Sequence, residues 1–247
     1  MTRTELRRVR PDELPWERLG NHGLRRRLLR HDPQTGYTTS VVDIPQGWRG
    51  GGIAHYHHAF EEVYIWSGSV TVGGRHYWRT GDYFYRPALV VHGHDERSEE
   101  GAVAIIRSDG PLGLLLVHEP AEDDEYPLQP ITDPRGHVKH ITIADLAWQT
   151  SEDFPAGWRI KPLSADAQSG ARTLAVEVPA GWKRGPDRLP GRDTAWEAMV
   201  IEGRITGQGL SFEAADYASG PAGMEAFDAE GSATGCTFIL WQLPRGM

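Results

Sequence analysis

The chain of 247 residues has a single cysteine, Cys236. One thiol rules out an intramolecular disulfide and any cysteine-based zinc site. Its setting, "GCTFILWQ", marks it as a buried and inert strand residue. Long apolar runs are missing too: nothing approaches the roughly 18 consecutive apolar residues of a membrane span. The opening stretch "MTRTELRRVRPDELPW" has charge but no apolar centre, so it does not read as a secretory signal. A cytoplasmic protein with no membrane partner is the expectation. Positive charge is in deficit, and a net of −8 argues against nucleic acid as a partner. Nine of the first 30 residues are nevertheless arginine, including "LRRRLLR" at Leu24–Arg30. A solvated strand face or a subunit contact accounts for them, which leaves a homodimer open. Helical periodicity is weak as well, with "TIADLAWQ" good for a turn or two.

What is abundant is punctuation. The 29 glycines and 17 prolines divide the chain into short runs such as "YTTSVVDI", "EEVYIW", "TLAVEV" and "TFILWQL". These are β-branched, aromatic and often alternating, which predicts an all-β sandwich or barrel architecture. The proline-studded "HEPAEDDEYPLQPITDPRG" interrupts the pattern near the middle. The expected division is therefore a first domain over residues 1–118, a linker over 119–136 and a second domain over 137–247.

The two halves are related. "DPQTGYTTSVVDIPQGW" at Asp32–Trp48 aligns with "DAQSGARTLAVEVPAGW" at Asp166–Trp182, and eight of the 17 positions are identical. This reads as an internal duplication. Yet all 11 histidines lie within residues 1–140. Side chains present in one copy and dispensable in the other point to chemistry rather than architecture.

The stretch "GIAHYHHAFEEVYIWSG", Gly52–Gly68, concentrates them. Residues two apart on a strand face the same side, so His55 and His57 project together. Two imidazoles and the carboxylate of Glu61 suit a divalent first-row metal: iron, manganese, nickel or zinc. His-x-His alone does not separate such a site from a decorated surface strand. Alternation places Glu61 with Val63 and Ile65 towards the interior and turns Glu62 away.

Downstream, "GDYFYRPALVVHGH" carries Gly81, Pro87 and His92. Together with His55, His57, Glu61 and Gly68, these spacings resemble the two sequence motifs of the cupin superfamily. Leu89, where a glycine usually follows the proline, and Glu96, where an asparagine often stands, depart from the pattern. The resemblance implies a barrel of two facing sheets with one metal bound by His55, His57, Glu61 and His92. The second copy keeps Pro221 and Gly223 of the motif but has Ala226 in the histidine slot and Trp196 near the carboxylate slot. It looks like a bicupin (two tandem jelly-roll barrels) with metal only in the first. His94, two residues beyond His92, is expected to face the same cavity as a catalytic or supporting residue.

Such a ligand set leaves positions open for substrate or water. Three function classes follow: a non-haem Fe(II) dioxygenase acting on a small organic substrate with dioxygen; a redox-neutral isomerase, decarboxylase or lyase; and a non-catalytic small-ligand sensor. The superfamily holds all three. Fe(II) is the favoured metal, with one equivalent per chain. No lysine or arginine pair beside the ligands calls for a sugar phosphate.

Overall fold

The computed structural model describes residues 5–21, 23–118, 125–187 and 189–245. These residues form β-strands and three single-turn 3-10 segments, with no α-helix among them. Among the described residues, no helix is long and apolar enough to cross a membrane. The alternating β-branched runs become the longest strands, as their period of two requires.

The chain divides into two units, one of residues 14–144 and one of residues 1–13 with 145–247. In the first, the main sheet runs in the order Val138–Thr142, Asp82–Arg86, Glu61–Val72, Ala102–Ser108, Thr38–Ile44, Leu24–His31, Glu17–Leu19. A smaller layer pairs Leu115–Val117 with Ala54–Tyr56 and Val90–Val91 with Tyr126–Pro127. A bridge between His55 and His92 joins its two halves. Val63, Ile65, Val72, Trp78, Phe84 and Ala104 are packed into one buried core cluster.

These boundaries correct the expected ones. The segment read as a linker adds strands to the first unit: Tyr126–Pro127 pairs with Val90–Val91, and Val138–Thr142 extends the sheet beside Asp82–Arg86. Only residues 119–124 of it lie outside the described residues. Conversely Arg7–Val9 pairs with Tyr217–Gly220 of the second unit, where Arg8 reaches Asp216 at 2.6 Å. Edge pairing uses backbone groups that every residue carries, so local sequence pattern does not reveal it. The arginines of Leu24–His31 are also engaged. Arg25 pairs with Asp43, Arg26 with Glu17, and Arg27 stacks 4.3 Å from the ring centre of Trp16.

The duplication is visible in matching detail. Glu61–Val72 and Trp196–Gly207 are both 12-residue strands. Gly68 and Gly203 both have φ 76°, and a Cβ there would stand 2.0 Å from the Gly101 carbonyl oxygen and 2.1 Å from that of Gly235. Only glycine allows this approach, so both copies need it. Asp82 accepts the Arg79 amide at 2.7 Å, and Asp216 accepts that of Glu213 at 2.8 Å.

The interiors differ. In the second unit Trp158, Trp196, Phe212, Phe227 and Phe238 form one core with Ala226. Trp196 and Ala226, which occupy the carboxylate and histidine slots, are both 0% exposed. Phe227, at φ 57°, stands one residue after Ala226 as Gly93, at φ 82°, stands after His92. Its ring packs 5.6 Å from Trp196 and 5.0 Å from Phe238. Aromatic bulk thus fills that barrel. Cys236 is buried in the same core, and burial pushes its thiol up to about 12.

Candidate metal centre

The short strand Ala54–Tyr56 carries His55, and His57 follows it on the same side, as two-residue periodicity dictates. His92 comes directly after Val90–Val91. His55 and His92 then exchange both backbone hydrogen bonds, each 2.8 Å, which sets their side chains next to each other. The ring centres of the three histidines lie 4.4 to 5.1 Å apart. One nitrogen from each falls within 4.8 Å of the others, a group that could hold a metal ion.

Backbone carbonyls orient the rings. Nδ1 of His57 lies 2.9 Å from the Gly113 oxygen and Nδ1 of His92 lies 2.9 Å from the Val90 oxygen. A carbonyl only accepts, so each Nδ1 donates, which leaves Nε2 as the nitrogen placed to meet a cation. His55 hydrogen-bonds to the Ile53 backbone. Burial, with His57 close by, lowers the pKa of His55 to about 4. Burial and the Arg86 charge push His92 well below its ordinary value. Both are therefore neutral near pH 7, the form that binds metal.

Gly93 makes room for this cluster. Its φ is 82°, and a Cβ there would sit 2.4 Å from Cε1 of His55. The sequence offered that signal in "HGH", but its meaning depends on a contact between distant residues.

Glu61 joins from the main sheet. Its Oε2 lies 3.5 Å from Nε2 of His92 and also takes an ion pair from Arg86. Glu62 points to the other face, as alternation requires, but that face is not solvent. Glu62 is 1% exposed and is held by Arg107, by Arg135 at 2.6 Å and by Tyr83 at 2.7 Å. Its counterpart Glu197 is 0% exposed. His94 is exposed, and the structure does not bring it into the cluster; neither is His58, also exposed.

Sequence reasoning missed four polar neighbours. Arg86 faces inward across from Glu61 and pairs with both Glu61 and Glu125. Glu125 also meets Nε2 of His137 at 2.9 Å. Burial would raise the Glu125 pKa, but Arg86 and His137 outweigh it and hold the group at about 2. Glu96 goes the other way: burial first, then the Glu61 charge, push it up to about 7. Its position in place of the usual asparagine was the available clue. Arg86 was legible only through its alternation with Phe84, while Glu125 and His137 belong to the segment read as a linker.

A cavity of about 550 Å³ in the second unit is bordered by Asp153, Arg172, Arg192 and Gln242. Among the described residues, the group that could hold a metal ion is the histidine cluster of the first unit.

Residues 4–112 match the family described as "ChrR Cupin-like domain". No curated protein matches the chain. Among solved structures, a "putative dioxygenase" from Nostoc punctiforme superposes with a TM-score of 0.80 at 15% identity, covering 100% of this chain and 85% of its own. Protein Ylba from E. coli gives 0.64 at 11%, covering 100% and 94%. Oxalate decarboxylase from Bacillus subtilis, a protein with Mn(II) centres, gives 0.56 at 16%, covering 100% and 79%. At these identities the likeness is one of fold.

Proposed function

We propose that this chain, whose residues 4–112 match a cupin-like family and whose fold is like that of two-barrel cupins, is a metal-dependent enzyme in which His55, His57, His92 and Glu61 hold one divalent cation. Fe(II) is the favoured cation and a dioxygenase the favoured activity, on a small organic substrate. The observation that carries the metal reading is the set of three imidazoles that bring one nitrogen each within 4.8 Å of the others, with His57 and His92 each tied through Nδ1 to a carbonyl. The donor set fits the group: borderline nitrogen ligands plus one carboxylate suit first-row divalent metals.

A bound Fe(II) supplies redox chemistry with dioxygen, and a redox-inert cation supplies Lewis acidity alone. The chain's own residues do the rest. Val63, Ile65, Trp78 and Phe84 wall the barrel with apolar surface that excludes water. The carbonyls of Gly113 and Val90 fix the imidazole tautomers. Arg86 neutralises Glu61.

One observation favours a second reading, redox-neutral isomerase, decarboxylase or lyase chemistry. Burial and the Glu61 charge push the Glu96 carboxyl up to about 7, within the range for proton exchange at neutral pH. The fold likenesses do not choose between the two. The deciding experiment loads metal-free protein with Fe(II) or with Zn(II) and assays a panel of small carboxylic and carbonyl substrates with and without oxygen. Turnover that needs both Fe(II) and oxygen supports the dioxygenase. Full activity of the zinc form under anaerobic conditions replaces it with the Lewis-acid enzyme.

A further inference from the structure

Among the described residues, Arg86 is the arginine whose guanidinium meets the cluster's carboxylate, and its arrangement is unusual. Its side chain is 3% exposed, lies 4.6 Å from the ring centre of Phe84, and donates Nη1 to Glu61 and Nη2 to Glu125. Its Nε–H has no partner among the described residues. Glu125, 7% exposed, is anchored independently by Nε2 of His137 at 2.9 Å and through its carbonyl by Nζ of Lys139 at 3.3 Å. Glu61 Oε2 therefore stands between two claims, the guanidinium on one side and the histidine cluster, 3.5 Å away, on the other.

A cation held by the histidines would compete with Arg86 for that oxygen. If Glu61 were the sole partner of Arg86, moving it would strand a buried charge, which is strongly unfavourable. Glu125 prevents this, because the guanidinium keeps one carboxylate whichever way Glu61 turns. We propose that Arg86 is a counter-ion shared between Glu61 and Glu125, and that Glu125 is a positioning residue that frees Glu61 for the cation. The inference rests on the metal-centre reading above. It also gives the segment that follows residue 124 a role in the site it folds against.

The test measures Co(II) affinity of the full-length metal-free protein by competition with a chromophoric chelator, with circular dichroism to verify folding. Wild-type protein binds Co(II) in a histidine-rich site with visible absorption bands. Glu125→Gln keeps the shape, leaves Arg86 with Glu61 alone, and weakens Co(II) binding by about 10- to 100-fold, the range for residues that support metal ligands. Adding Arg86→Gln to Glu125→Gln removes the rival and restores binding to the wild-type value or above it. A purely packing role for Glu125 would leave the double variant as weak as the single one. Should Glu125→Gln fail to fold, Arg86→Gln alone decides: it must tighten binding, and weaker binding refutes the proposal. Wild-type affinity in Glu125→Gln, or no rescue in the double variant, overturns the shared counter-ion while leaving the metal centre intact. Failure of wild-type protein to bind Co(II) overturns the metal centre itself and the proposal with it.

Discussion

Gly93→Ala tests whether the histidine cluster is held as tightly as its geometry implies. Two separate costs arise. The first is backbone: Gly93 has φ 82°, and a left-handed conformation costs a residue with a Cβ about 1–2 kcal/mol. The second is steric: the new Cβ would lie 2.4 Å from Cε1 and 2.7 Å from Nδ1 of His55. Overpacking of this kind typically costs about 1–3 kcal/mol. If the two add, Gly93→Ala loses roughly 2–5 kcal/mol of stability.

Gly47→Ala is the internal control. Gly47 has φ 72° in the same unit, and nothing lies within 4 Å of the Cβ position. It pays the backbone cost alone, so the difference between the two variants isolates the His55 contact. The assay is denaturant unfolding of metal-free protein, followed by Co(II) affinity. His55 could escape the clash by swinging aside, but it would then leave the cluster, and the loss would appear in metal binding instead. Gly93→Ala must therefore exceed Gly47→Ala in at least one of the two measurements. Equal stability together with wild-type metal affinity would refute the claim that Gly93 seats His55.

Further expectations concern the charged residues. Glu61→Gln should sharply reduce metal affinity while Glu62→Gln leaves it near the wild-type value; equal losses, measured by chelator competition, would mean that the ligand side of the strand is misassigned. Glu62→Gln should instead destabilise the protein, by about 3 kcal/mol in denaturant unfolding, because two buried arginines lose their charge partner. Elemental analysis should find one equivalent of divalent metal per chain; two would contradict a second barrel filled by Trp196 and Phe227. Glu96 gives a signed pH dependence. Its folded pKa is raised from 4.5 to about 7, so its favourable contribution is complete below pH 4.5 and is lost as pH rises through 7. That change is on the order of 3 kcal/mol, so Glu96→Gln should gain stability relative to wild type at pH 8 compared with pH 4, and a pH-independent difference would show that the carboxyl is not buried in the charged form.

Much of the candidate metal centre was legible because its parts are local in sequence. His55, His57 and Glu61 fall within seven residues, and the spacing to Gly68 together with strand alternation sorts Glu61 from Glu62. Alternation gives direction and not burial, however. Glu62 was expected to face away and does, but onto Arg107 and Arg135 rather than water. Leu89 shows a similar limit. It departs from the expected glycine in sequence, yet its φ of 65° keeps the backbone conformation that Gly223 adopts at φ 92° in the other copy. The barrel imposes the left-handed turn, and leucine bears a backbone cost of about 1–2 kcal/mol there.

What stayed hidden depends on contacts between distant segments. Glu125 and His137 lie in a stretch whose prolines and acidic residues carry the composition of a linker, and nothing local marks Tyr126–Pro127 as a partner for Val90–Val91. The exchange of Arg7–Val9 into the second unit is invisible for the same reason. The duplication supplied the one long-range comparison available from sequence, and it located the difference that matters. At the same backbone position, with positive φ in both copies, Gly93 leaves space that His55 occupies and Phe227 fills that space with its ring. With alanine and phenylalanine at the two adjacent positions that His92 and Gly93 occupy in the first copy, the second barrel closes its interior by apolar packing alone and needs no cation for its cohesion.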